Sequence, residues 1–375
     1  MNMNLSFWEH ESWFNNVDYC IIGSGITGLN CALQLRISRP SAKIIILEKG
    51  LLPEGASTKN AGFACFGSIS EILDDLKTLS EDEVVELVEK RRNGLSLLRK
   101  NLGDPQIDFQ QNGGYELFTR ADKELYQHSM EAIPRINKIL NPVFGESVFR
   151  ETSNSFGFSD IMPRLIENQF EGQIDTGKMM QTLLKKVSCE NIQVLSGIKV
   201  NSFFDEEHSV RIETDKFQIS AKKLLIATNG FASSLGLEDV KPARAQVLIT
   251  KPIQNLNLKG TFHLDRGYYY FRNIGDRVLI GGGRNLDFEA EETEHMGTTP
   301  LVQNKLEHLL KTCILPETKF EIDRKWSGIM GIGSSRQPIV KALSRNVSCG
   351  VRLGGMGIAI GSLVGRDLAE ITLNS

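Results

Sequence analysis

The first ordered stretch of apolar and polar positions is Asp18-Tyr19-Cys20-Ile21-Ile22, an apolar run of buried-strand character. It passes directly into Gly23-Ser24-Gly25-Ile26-Thr27-Gly28. Behind the glycines, Leu29, Ala32, Leu33 and Leu35 are spaced mostly to share one helical face. A second apolar strand over residues 43–47 ends on Glu48. Strand, glycine turn, helix and strand in that order predict a β-α-β crossover.

Further along, Ser80-x-x-Glu83 is a capping box opening a helix through Val84, Val85, Leu87 and Val88. Residues 113–118 read as a turn entering a strand. Residues 125–140 read as helix, kinked or broken near Pro134. Ile174-Asp175-Thr176-Gly177-Lys178 precedes a helix through Met180, Leu183 and Leu184, followed by strand-like pieces at 192–195, 199–200, 210–213 and 217–219. A further apolar strand from Lys223 closes in Ala227-Thr228-Asn229-Gly230. Residues 246–283 are β-rich and predict an antiparallel sheet in a second lobe. The last block, 348–361, is rich in glycine and leads into a helix to about Ile371.

Length and composition narrow the class. The 375 residues suggest two domains or one large interrupted one, with an ordinary 41% apolar and 24% charged content. A formal charge of −3 gives no basic footprint for nucleic acid or an anionic membrane. The first residues hold Trp8 and Trp13 beside Glu9, His10 and Glu11, without the basic start and apolar stretch of a signal peptide. No apolar run approaches the ~20 residues that span a bilayer. Six cysteines and six histidines are scattered without metal-ligand spacing, so neither zinc nor a disulfide framework is expected. A soluble, cytoplasmic protein is the expectation.

The chemistry of the crossover is specific. Gly23 permits the tight turn, Gly25 lets backbone approach a pyrophosphate, and Gly28 brings helix close to strand. Ile26 and Thr27 open the helix, whose N-terminus offers N–H groups and partial positive charge to phosphate. Glu48, followed by Lys49, can accept from a ribose 2′-OH and would repel a 2′-phosphate. The small-residue loop with Ser57, Asn60, Ala61 and Gly62 suits backbone lying close to something flat or charged. Gly354-Gly355-Met356-Gly357 would open the final helix as a second anion-facing N-terminus.

These blocks, with residues 113–117, 175–178, 227–230, 267–283 and Trp326-Ser327-Gly328, resemble the FAD-dependent D-amino-acid oxidase, glycine oxidase and sarcosine oxidase family. The resemblance covers about residues 17–370, and Trp8, Trp13 and Asn60-Ala61-Gly62 are most similar to γ-glutamylputrescine oxidoreductase-like members. It implies an α/β fold in which a Rossmann-like FAD-binding domain of glutathione-reductase type interleaves with an antiparallel-sheet α+β substrate domain. The expected divisions are 1–105, 165–245 and 325–375 for FAD, and 106–164 and 246–324 for substrate. It implies FAD on the crossover and the Ser57 loop, Val200 against the adenine, and Ala227, Asn229 and Gly230 at a second backbone contact. Positive potential at the glycine turn 354–357 would favour the anionic reduced ring.

The activity so implied is oxidation of a C–N bond in a small amine or amino acid by hydride transfer to flavin N5. Oxygen or another acceptor would then take the electrons. In Tyr268-Tyr269-Tyr270-Phe271-Arg272, alternation sets Tyr269 and Phe271 on one face and Tyr268, Tyr270 and Arg272 on the other. Tyr269 is expected toward the flavin, and a one-residue hairpin shift would substitute Tyr270. Amino-acid-oxidising relatives often carry a carboxylate-clamping arginine just after Trp-x-Gly, where this chain has Ile329 and Met330. Arg336 and Arg352 are the best substitutes, with Arg272 and Arg284 next, unless the substrate is no simple α-amino acid. Sarcosine-oxidase relatives attach FAD through a cysteine in this block. Ile329-Met330-Gly331 has none, so non-covalent FAD is expected, with Cys65 the thiol most apt to approach it. Two other readings are a flavoenzyme module acting on a larger substrate such as tRNA, and a non-catalytic FAD-binding protein.

Overall fold

A computed structural model describes residues 5–375. The first apolar strand, Val17–Ile22, lies at the centre of an eight-stranded sheet. Its neighbours run parallel to it: Ile44–Glu48 and then Gln193–Ser196 on one side, Gln218–Ile226 and then Val347–Val351 on the other. Strands this deeply covered need no polar alternation, and all five positions of Ile44–Glu48 are buried. Val200–Asp205 and Val210–Thr214 extend the sheet antiparallel from the long Gln218 strand.

The first helix, Ile26–Ser38, is covered on nearly every side rather than along one stripe. The final helix, Gly357–Asn374, lies across it, and glycines make the close approach possible. A Cβ on Gly365 would sit 2.5 Å from the Thr27 carbonyl oxygen. The Ser80 capping box forms as expected and starts the helix Glu81–Leu102, which packs on the same final helix through Gly94. The helix expected to be kinked or broken near Pro134 is unbroken. Lys123–Phe144 runs through both Pro134 and Pro142, its face of Ala132, Ile136, Ile139, Leu140 and Val143 buried in the core. Burial of that face outweighs the hydrogen bonds that the prolines remove.

A second eight-stranded sheet carries the β-rich region. From one edge it runs Ile322–Ile332, Lys241–Thr250, Arg277–Gly282, Tyr269–Ile274, Thr261–Leu264, Gly114–Glu116, Arg164–Asn168 and Phe149–Ser153. All neighbours are antiparallel except the Gly114 and Thr261 strands. The strand Ile322–Ile332 belongs wholly to this sheet, so the expected division at residue 325 falls inside it. The fold is the one the resemblance implies: a Rossmann-like parallel sheet, with helices on one face and an antiparallel extension on the other, interleaved with an antiparallel sheet. Among the described residues no helix is long and apolar enough to cross a membrane.

Candidate active site

One cavity of about 500 Å³ runs between the two sheets, within the range of about 300–1,000 Å³ typical of ligand sites. It begins at the crossover. Gly23 has φ +102°, and its N–H donates to the Leu47 carbonyl at 2.8 Å. Gly28 does not line the cavity; a Cβ there would run into the Gly23 carbonyl, so it seats helix on turn. Gly25 does line it, and a Cβ at this position would meet Ser57 Oγ at 2.8 Å. The Ile26 N–H donates to that same hydroxyl at 3.0 Å. The Thr27 and Gly28 N–H groups that follow have no acceptor within the helix. Thr27 and Thr228 also line the cavity. Free N–H groups at a helix start, on a wall lined by Gly23, Gly25 and Ile26, fit the phosphate of a nucleotide.

Glu48 and Lys49 also face the cavity. The Glu48 carboxylate accepts from Ser24 N–H and Oγ–H at 3.0 and 2.7 Å, and from the N–H groups of Gly50 and Glu54 at 3.0 and 3.3 Å. It therefore fixes the turn and the following loop. Lys49 Nζ stands 3.2 Å from the centre of the Phe231 ring, and its burial lowers the ammonium pKa.

Ser57, Asn60 and Ala61 line the next stretch. Asn60 holds the loop together, accepting from the Gly62 N–H at 2.9 Å and the Thr176 hydroxyl at 2.8 Å. Gly62 itself lies off the cavity, where Arg272 donates to its carbonyl at 2.8 Å and to that of Ile174 at 2.8 Å. Arg272 is thus a buried clamp on this loop and not a substrate anchor. Val200 and Ala227 line the wall. Asn229 does too, its Oδ1 accepting from the Leu353 N–H at 3.1 Å. Gly230 lies behind them, because a Cβ there would meet the Met330 carbonyl at 2.6 Å.

Gly354, Gly355, Met356 and Gly357 all face the cavity and lead into the final helix. Met356 Sδ lies 3.7 Å from Cys65 Sγ. Burial, with Glu171 and Glu71 nearby, pushes that thiol well above its ordinary pKa, so it stays a neutral packing group.

Two expected catalytic residues are misplaced. Tyr269 is buried in the core of the second lobe, with Leu306 and Leu309. Tyr270 is the tyrosine on the cavity wall. The pairing register decides this: Tyr270 stands opposite His263 and Gly281, Tyr269 opposite Leu264 and Gly282, and opposed residues share a face. A Cβ on Gly281 would come 2.6 Å from the Tyr270 ring, so glycine makes the room for it. Burial pushes the Tyr270 phenol up to about 12, leaving a neutral hydroxyl. Arg352 does not line the cavity either. Its backbone is left-handed, φ 64°, and its Nε donates to the Gln337 carbonyl at 3.0 Å. Arg336 is on the wall but engaged, 2.9 Å from Asp75 and 3.2 Å from Asp74. Arg284 lies on the wall against the Phe288 ring.

Beyond Tyr270 the wall carries residues that sequence reasoning missed: Glu71, Arg91, His263 and Tyr268. Burial alone would lower the His263 pKa. The Glu171 carboxylate 3.0 Å from Nε2, with Glu71 and Glu116 beyond, outweighs this and holds it at about 9. Burial pushes Glu116 up to about 7 against the hydrogen bonds from Ser70. Glu71 was legible in one respect, as the third residue after Ser68 in a capping box. A lone strand histidine and an arginine in a polar run carried no comparable signal.

A glycine crossover with an acid on its second strand, a second glycine turn opening a helix, and a tyrosine-lined cavity between two sheets define a dinucleotide-dependent redox enzyme. The chain matches the family described as "FAD dependent oxidoreductase" over residues 18–371, and it belongs to that family. It is an FAD-dependent oxidoreductase. Its relatives include the probable oxidoreductase OrdL of Haemophilus influenzae, 20% identical over 96% of this chain and 83% of that protein. The γ-glutamylputrescine oxidoreductase of Escherichia coli is 25% identical over 94% and 83%. The glycine oxidase of Geobacillus kaustophilus has the same fold, with TM-score 0.76 at 17% identity over 96% of this chain and 95% of that one.

Proposed function

We propose that this protein oxidises the C–N bond of a small amine or amino acid, removing hydride from carbon and leaving an imine that water hydrolyses. FAD, when bound, supplies the two-electron acceptor at N5 of its ring. One observation carries the reading: a single cavity joins the crossover, the 354–357 turn and the pocket under Tyr270. The relatives' names agree with it, two of them denoting oxidation of a glutamylated diamine and of glycine.

Gly23, Gly25, Ile26, Thr27, Glu48 and Lys49 would hold the adenosine and pyrophosphate half, with Gly28 setting the helix in place. Ser57, Asn60, Ala61, Val200, Ala227 and Asn229 would form its walls, supported from behind by Gly62 and Gly230. Gly354, Gly355, Met356 and Gly357 would face the ring. Attachment is non-covalent, since Ile329, Met330 and Gly331 offer no thiol. The segments 1–105, 165–245 and 325–375 would serve the nucleotide and 106–164 and 246–324 the substrate, except that the whole strand Ile322–Ile332 goes with the second sheet.

Tyr270 presents a neutral hydroxyl that can donate to a substrate polar atom and orient the reacting carbon. His263 is held as an imidazolium by Glu171, so it is no base near neutral pH. Oxygen or another carrier reoxidises the enzyme, and the six unpaired cysteines suit work in the reducing cytoplasm. Product analysis tests the reaction. A carbonyl compound and an amine or ammonia should form in equal amounts, one pair for each two electrons delivered to an acceptor; electron transfer without C–N cleavage contradicts it.

A further inference from the structure

We propose that Arg272 is a positioning residue that joins the two ends of the site: from the strand carrying Tyr270 it holds the loop that receives FAD. This rests on the flavin-site reading above. Arg272 stands two residues after Tyr270, on the same face of the strand Tyr269–Ile274, and is 5% exposed. Its Nη1 donates to the Gly62 and Ile174 carbonyls, both at 2.8 Å, and its Nε to the Asn273 carbonyl at 3.0 Å. The acids that act on it are engaged elsewhere. Asp175 caps the helix Thr176–Cys189 by accepting from the Lys178 N–H at 2.9 Å, and Asp108 lies 3.4 Å from Lys178 Nζ. Burial pushes the guanidinium down to about 10, so it stays charged near neutral pH. A buried charge without a paired acid is costly, and an apolar side chain of similar volume would fill the space at lower cost. What arginine adds is a rigid grip on two separate segments.

Both segments lead into the cavity, because Gly62 and Ile174 adjoin the short antiparallel pair Phe63–Ala64 and Gly172–Gln173. Gly62 has φ +77°, and a Cβ there would run into Arg272 Nη1 and the Ile174 carbonyl, so the grip requires glycine. Toward the nucleotide end, the Gly62 N–H donates to Asn60 Oδ1 at 2.9 Å, and Asn60 Nδ2 donates to the Ser57 carbonyl at 2.8 Å. Ser57 Oγ in turn accepts from the Ile26 N–H at the start of the first helix. Asn60 Oδ1 also accepts from the Thr176 hydroxyl at 2.8 Å, and Nδ2 also donates to the Ala56 carbonyl at 3.2 Å. No bond of that amide is left for a ligand, so Asn60 acts through the shape of the loop. Toward the substrate end, Phe63 lines the cavity and meets the Tyr270 ring edge-on, 5.5 Å between centres. One buried side chain thus sets both Ser57 and Phe63 from behind. Such a chain couples its ends only if breaking one link makes the other redundant.

The test titrates FAD-free protein with FAD in wild type, Arg272→Met, Asn60→Ala and the double variant. Each single substitution should raise the Kd about 10-fold or more, the value of a charge-assisted hydrogen bond. The double variant should bind within about three-fold of the weaker single variant, because both substitutions break one chain. Losses that multiply to about 100-fold or more overturn the proposal, and so does an Arg272→Met Kd within about two-fold of wild type. At saturating FAD, the flavin absorption of Arg272→Met should be shifted from that of wild type, as Phe63 and Tyr270 move against the ring. Superimposable spectra overturn the link to Tyr270. Should Arg272→Met not fold, Arg272→Lys, which keeps the charge and loses the rigid grip, replaces it under the same criteria. No amine is used, so these measurements can fail while C–N oxidation stands, and the reverse.

Discussion

The indole N–H of Trp326 donates to the Lys59 carbonyl across 2.9 Å, tying the second sheet to the loop of Ser57, Asn60 and Ala61 that lines the cavity. Two residues on, Gly328 faces the same lysine; a Cβ there would come 2.9 Å from Lys59 Cβ. The Trp-x-Gly sequence thus works as a latch between sheet and loop. Trp326→Phe keeps the apolar ring and removes the donor. FAD affinity should fall roughly 3- to 10-fold, the value of one hydrogen bond, with the fold intact. Titration of the FAD-free protein with FAD checks this, and an unchanged Kd would show that the latch plays no part.

Gly25→Val should abolish FAD binding. The added Cβ lands 2.8 Å from Ser57 Oγ, on the cavity wall where the proposed site holds the pyrophosphate. Melting temperature measured without FAD should stay close to that of wild-type protein without FAD. A Gly25→Val protein that still purifies yellow would place the nucleotide elsewhere.

The two tyrosines should separate cleanly. Tyr270→Phe removes a hydroxyl from the cavity and should lower kcat/KM by about 10-fold or more, in line with a transition-state hydrogen bond. Tyr269→Phe alters a residue in the far core and should leave turnover unchanged. Steady-state kinetics on both variants decides, and the reverse ranking would restore the original expectation for Tyr269.

The buried acid-histidine group should leave a signature in stability. His263 is raised to about 9 from an ordinary 6.5, so its contribution is fully present below pH 6.5 and is lost as pH rises through 9. Glu116, raised to about 7, makes the folded state lose ground from pH 4.5 upward through 7. Thermal melts should therefore decline between pH 6.5 and 9. His263→Gln should flatten that slope, removing a difference on the order of 1–3 kcal/mol. Parallel slopes for wild type and variant would show that His263 is not charged in the fold.

Local physics made much of this legible. Gly23 and Gly28 act within one turn, so their spacing already stated their structural jobs. Alternation separated Tyr269 from Tyr270 but could not say which face meets the cavity. That choice depends on pairing with His263 and on the space left by Gly281, both of which belong to neighbouring strands. Arg352 adjoins the glycine turn, yet its left-handed backbone turns the side chain toward Gln337. Pro134 marked a kink or break, and burial of the helix carries it through unbroken. Arg91 was concealed by its neighbours Glu89, Lys90, Arg92 and Asn93, which read as a solvated face. Its position three residues after Val88 and four before Leu95 was the available signal.

The proposed oxidation of a C–N bond, by flavin in this cavity, is tested most directly by anaerobic mixing. The purified yellow enzyme is combined with a panel of amino acids and amines while flavin absorption is followed. At least one compound should bleach the flavin fully, with imine-derived carbonyl equal to the flavin reduced. Flavin that dithionite reduces but no amine or amino acid does would contradict that chemistry.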